Sequence, residues 1–210
     1  MINREGKMSK TETPMRIYVD VDDVLSKTTD TYAGVVEREF GKTTAYENLV
    51  TFDLRKSFDL TQAEFEHFFS LVHTPDVLLG YGVVEESVET LAAWADQGHV
   101  IEIVTGRPSF AHEATLAWLD HHRIPYDSLT MVDKYNRPDA DPAISVSKAE
   151  FSTRRYDLAV EDSREMALYL AHEMDVPVKL YHRPWNARPV DHPRVERVNS
   201  WAEIDLKLKT

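Results

Sequence analysis

Apolar residues along this chain fall in short runs that change period from one segment to the next. Arg16-Ile17-Tyr18-Val19, ending at Asp20, is a compact β-branched and aromatic run and predicts a buried strand. Between Lys27 and Val84 the spacing turns helical. Tyr32, Val35, Val36 and Phe40 recur at helical intervals and Gly41 follows as a stop. Thr61-Gln62-Ala63-Glu64 has the form of a capping box, with Phe65, Phe68, Phe69 and Val72 behind it. Beyond Val84, helices about Glu85–Gln97, Ser109–His122 and Arg164–Met174 alternate with strands at 99–104, 129–132, 156–160 and 178–181, and a last helix is expected near Ser200-Trp201. Such alternation predicts an α/β fold, a parallel sheet covered on both faces. The helical block at 27–84 reads as an insert after the first strand, and the polar start, residues 1–14, as a disordered tail.

Composition narrows the function classes. Lys plus Arg number 24 against 36 Asp plus Glu, a formal charge of −12. That balance disfavours a nucleic-acid polymer or an anionic membrane as partner, because both need basic surface. The chain has no cysteine, which removes disulfides, thiolate metal sites and Cys nucleophiles. No apolar run approaches the roughly 18 residues of a membrane span, and a cytoplasmic protein is expected. The nine histidines form no HExxH pattern and read as surface or helix-end residues.

In an open parallel sheet, ligands bind beyond the carboxyl ends of the strands. The first strand is followed there by Asp20-Val21-Asp22-Asp23, the second by Thr105-Gly106-Arg107-Pro108, and a later one by Glu161-Asp162-Ser163. Acidic groups converging on one crevice repel unless a cation lies between them. Oxygen donors without thiolates favour a hard ion, Mg²⁺ before Zn²⁺. A hard cation, a nucleophilic carboxylate and a nearby hydroxyl together suit phosphoryl transfer.

The DxDxV element, the later Thr, a downstream Lys and the acidic pair, in this order, resemble the haloacid dehalogenase superfamily from about Arg16 to Trp201. The resemblance implies a Rossmann-like three-layer core (15–26 and 85–210) with a small helical cap at 27–84. It assigns Asp20 as nucleophile and Asp22 as acid and base. Thr105 and Lys148 become phosphoryl-binding catalytic groups, with Gly106 and Arg107 beside them. Mg²⁺ falls to Asp20, the Asp22 carbonyl and Asp162, with Glu161 behind. Lys134, directly after a strand, is the alternative lysine. Asp22 separates the chain from the dehalogenases proper, and Asp23 reads as a turn residue. The Thr105–Pro108 and Val178–Asn186 segments are similar to the 5′(3′)-deoxyribonucleotidase branch, although Ser26-Lys27-Thr28-Thr29 lacks the aromatic that branch uses to stack a base. The phenylalanines of the insert read as core before substrate platform, and the His182–Asn186 loop as rigidified by its proline. The function implied is a Mg²⁺-dependent phosphomonoesterase acting through an aspartyl-phosphate on a small phosphorylated metabolite. A nucleoside monophosphate is one candidate, a sugar phosphate another. A phosphomutase and a non-catalytic binding domain are the alternatives.

Overall fold

The computed structural model describes residues 13–134 and 136–206. The expected tail lies outside them except for its last two residues. Seven strands, β1 (Arg16–Asp20), β2 (Val100–Thr105), β3 (Ser128–Asp133), β4 (Ser145–Ser147), β5 (Leu158–Glu161), β6 (Val178–Tyr181) and β7 (Val195–Val198), form one sheet in the order β4-β3-β2-β1-β5-β6-β7. Every neighbouring pair is parallel. β1, β2 and β5 are buried almost throughout, as strands covered on both faces must be.

Eight α-helices and four short 3-10 turns complete the described residues, the α-helices being α1 (Thr28–Phe40), α2 (Leu54–Ser57), α3 (Gln62–Val72), α4 (Pro75–Leu79), α5 (Ser87–Asp96), α6 (His112–His121), α7 (Lys148–Phe151) and α8 (Arg164–Glu173). Local signals set several of their ends. Gly41 terminates α1 at φ 64°, the left-handed conformation glycine adopts without strain. The capping box at Thr61 and Glu64 is formed in full at the start of α3. Two elements escaped the sequence pattern, β4 with three residues and the half-buried β7, where Glu196 and Arg197 interrupt the apolar run. The expected last helix is a single 3-10 turn, Trp201–Glu203. Trp201 is buried there, with its indole N–H donating to the Val24 carbonyl at 3.0 Å.

The chain leaves β1, makes α1–α4 and returns at one place. Lys27 N–H donates to the Gly82 carbonyl at 2.7 Å, and Val84 N–H to the Leu25 carbonyl at 2.8 Å. Both strands of this neck are thereby held together. Phe68 and Val72 of α3 and Tyr32 of α1 share one buried cluster with Val19 and Ile103 of the sheet. The helical block is therefore packed onto the sheet through a common core.

The strand order also locates the crevice. Strands after β1 are added outward to β4, and the chain then crosses to the other side of β1 for β5, β6 and β7. The direction of winding reverses between β1 and β5, and the loops leaving their carboxyl ends diverge there, opening a crevice.

Candidate active site

Asp20 closes β1, while Glu161 closes β5 and Asp162 follows it. The two strands are in register at Val19 and Val160, so the acids emerge side by side. One carboxylate oxygen from each of Asp20, Glu161 and Asp162 lies within 4.8 Å of the others, and all three residues are buried. Burial, then the Glu161 charge, pushes the Asp20 carboxyl well above the ordinary range, with Lys134 pulling the other way. Burial and the charges of Glu161 and Asp20 push Asp162 up likewise. Glu161 is pinned by the Tyr18 hydroxyl at 2.6 Å and the Ser163 N–H at 2.9 Å.

Asp22 lies across from this cluster. Arg107 donates to it through Nε at 3.1 Å to both oxygens and through an Nη at 2.7 Å. The Thr28 hydroxyl donates at 2.7 Å. Burial pushes the Asp22 carboxyl up, but the Arg107 guanidinium outweighs this and holds it below its ordinary value. Arg107 itself is buried, bonded to the Thr115 and Ser26 hydroxyls and flanked by the faces of Tyr81 and Trp118. Its guanidinium, expected on the phosphoryl group, is thus committed to Asp22. The Thr105 hydroxyl accepts from the Arg107 N–H at 3.1 Å and reaches Asp22 at 3.5 Å.

Asp23 is a turn residue, at φ 58°. Its carboxylate accepts from the Thr29 N–H at 3.0 Å and the Thr29 hydroxyl at 2.6 Å. It thereby caps α1, which has no cap from its own preceding residue.

Only one of the two lysines reaches the acidic cluster. Lys134 reaches Asp20 at 3.3 Å and Glu161 at 3.6 Å. Lys148 does not join them: it is exposed on α7, its ammonium 3.9 Å from the Tyr169 ring centre. The physical reason is sheet order. α7 follows the edge strand β4, one strand further from β1 than the loop after β3, and each strand adds about 5 Å. Gly106 makes room for Lys134, because a Cβ there would lie 3.0 Å from the lysine Cδ.

Above these groups lies a cavity of about 460 Å³. Asp20, Asp22, Gly106, Arg107, Lys134, Glu161 and Asp162 form its floor; Phe52, Phe58, Phe65 and Phe69 of the helical block line it from the other side. Phe68 is fully buried away from it. Two contributors, His73 and Arg137, were not singled out by the sequence reading, and a third, Trp185, stands in the His182–Asn186 loop that was read as rigidified by its proline. His73 is held through Nδ1 by the Phe69 carbonyl at 2.7 Å, and burial pushes it down to about 4, so it is neutral near pH 7. Arg137 donates to the Gly106 carbonyl at 2.8 Å with its guanidinium over Phe69. Trp185 donates its indole N–H to Asp162 at 2.7 Å. No motif marks His73 or Arg137, whose partners are distant in sequence.

Residues 14–150 match the family model described as 5′ nucleotidase, deoxy (Pyrimidine), cytosolic type C protein. The chain belongs to this family. It is also similar to the Bacillus subtilis protein named Putative nucleotidase YqfW, 23% identical over 189 residues, 90% of this chain and 91% of that one. Its fold is similar to that of a haloacid dehalogenase-superfamily hydrolase of subfamily IA from Geobacter sulfurreducens (TM-score 0.55, 14% identity, 89% of this chain and 92% of the other). A haloacid dehalogenase-like hydrolase from Streptococcus pneumoniae aligns over 80% of this chain and 85% of its own, at TM-score 0.55 and 13% identity. The protein is a phosphoric monoester hydrolase of the nucleotidase type, with a small phosphorylated molecule as substrate, and its fold is that of haloacid dehalogenase-like proteins. No helix among its described residues is long and apolar enough to cross a membrane.

The donor set fits a divalent cation. Three buried carboxylates within 4.8 Å carry more negative charge than the Lys134 ammonium offsets, and all their donor atoms are the oxygens that hard cations prefer. Asp22 contributes no side-chain oxygen to that cluster, its carboxylate being held by Arg107.

Proposed function

We propose that the protein hydrolyses nucleoside 5′-monophosphates with Mg²⁺ held by Asp20, the Asp22 carbonyl and Asp162, and Glu161 beside them. The observation that carries this reading is the Asp20 carboxylate, paired to Lys134 at 3.3 Å and clustered with two further acids at the floor of an aromatic-lined cavity. When bound, Mg²⁺ supplies positive charge to the phosphoryl oxygens and keeps Asp20 ionised.

Asp20 attacks phosphorus, the bond to the leaving oxygen breaks, and an aspartyl-phosphate forms. Lys134, in the role the resemblance implies for Lys148, neutralises Asp20 and then the phosphoryl charge. The Thr105 hydroxyl and the Gly106 segment bind phosphoryl oxygens. The negative charge of a phosphate arriving beside Asp22 offsets Arg107, so the Asp22 carboxylate takes up a proton from solvent before the site closes and passes it to the leaving oxygen. The ionised form that Arg107 favours then takes the proton of the water that cleaves the aspartyl-phosphate. The cap closes over the substrate and excludes bulk water, and its phenylalanines meet the base that no aromatic in Ser26–Thr29 can reach. The neutral His73 offers Nε2 as an acceptor to the same end of the substrate. We also read the protein as cytoplasmic.

The test is phosphate release from a panel of ribo- and deoxyribonucleoside monophosphates, sugar phosphates and an aryl phosphate. Release from nucleotides above the other classes, lost on chelation and in Asp20→Asn, is the expected result. Full activity in Asp20→Asn refutes the nucleophile, and preference for sugar phosphates refutes the substrate.

A further inference from the structure

The loop after β6 is built around Asp162, and nothing in the proposed reaction uses it. Asn186, fully buried, donates from Nδ2 to the Asp162 and Tyr181 carbonyls, each at 2.7 Å. Its side-chain oxygen accepts from the Arg183 N–H at 3.1 Å and from Arg197 at 2.5 Å, and Arg197 also holds the Asn186 carbonyl at 2.7 Å. Pro184 opens the single 3-10 turn, Pro184–Asn186. These bonds fix the turn to the end of β5, and at its middle stands Trp185. Its indole N–H donates to Asp162 Oδ2 at 2.7 Å, and its ring meets the edge of Tyr46 from the helical block, centroids 6.0 Å apart.

We propose that Trp185 is a positioning residue for the cation site: its N–H fixes the rotation of the Asp162 carboxylate, and Tyr46 keeps the indole in place. A carboxylate can turn about its Cβ–Cγ bond. With Oδ2 pinned, one orientation persists before the cation arrives, so binding need not order the ligand. Outer partners of this kind commonly change metal affinity by about 10–100-fold when removed. The inference rests on the proposed Mg²⁺ site.

Trp185→Phe keeps an aromatic ring beside Tyr46 and removes the N–H donor. Calorimetric titration with Mg²⁺ alone is expected to give at least about tenfold weaker binding in the variant, with the thermal midpoint of the cation-free protein little changed. A second readout uses wild-type protein. The other tryptophans, Trp94, Trp118 and Trp201, are buried, and a saturable Mg²⁺-dependent change in indole emission is expected from Trp185 and lost in Trp185→Phe. Equal Mg²⁺ affinity in the two proteins, or wild-type binding with silent emission, overturns the role of Trp185 and leaves the cation site standing. Absence of Mg²⁺ binding to wild type overturns the site itself and this inference with it.

Discussion

Lys134 gains its place from two neighbours. Asp20 draws its ammonium, and Gly106 leaves the lane in which its methylenes lie. Both lysines are near a strand end, so substitution separates them cleanly. Lys134→Ala is expected to lower kcat by about 10²–10³, the cost of one preorganised donor to developing charge. Lys148→Ala loses only an exposed contact with Tyr169 and is expected to leave kcat unchanged. Steady-state rates of the two variants, side by side, check the assignment. Asp22 makes a related point. Its residue type announces acid–base work, while its behaviour is set by Arg107, a partner 85 positions away.

At the scale of elements, the insert after β1 has its own local code. Thr61 and Glu64 exchange bonds across the first turn of α3, and Lys42 adds an ion pair to Glu64 at 2.7 Å. Thr61→Ala removes the accepting side chain and is expected to destabilise α3 by about 1 kcal/mol. Hydrogen exchange should show this as faster opening of α3 amides, with β1 and β2 protected as before. Strands β1 and β5 were legible because each carries an uninterrupted apolar run, and β2 because only a single buried Glu102, paired to Arg16, breaks its run, the mark of burial on both faces. β7 was not, because an edge strand has a neighbour on one side only and tolerates Glu196 and Arg197. β4 is too short for any period to register.

For the whole molecule, three acids from two strand ends are held closer than their charges favour. Anything that binds this arrangement and not the unfolded chain stabilises the fold by mass action. Mg²⁺ at about 100 times its dissociation constant is expected to add about 2.7 kcal/mol. Thermal melts with Mg²⁺ and with a chelator should differ accordingly, and Asp162→Asn should shrink the difference. A melt indifferent to Mg²⁺ argues against the site.

The order Asp20, Asp22, Thr105, Glu161-Asp162 is readable from the sequence alone, because an α/β chain delivers ligands to the carboxyl ends of its strands and each motif sits at such an end. Apolar runs and their periods determined most of the segments that became strands and helices, β4 and β7 excepted, since the side of an element that can be buried follows from residue type and spacing. Tertiary structure decided the rest. Which lysine meets Asp20 depends on the spatial order of β3 and β4. Arg107's attachment to Asp22, the phenylalanines' division between core and cavity, and Trp185's contact with Asp162 all join residues far apart in sequence. Such pairings carry no period and no motif, because they arise only when separate elements are packed against one another.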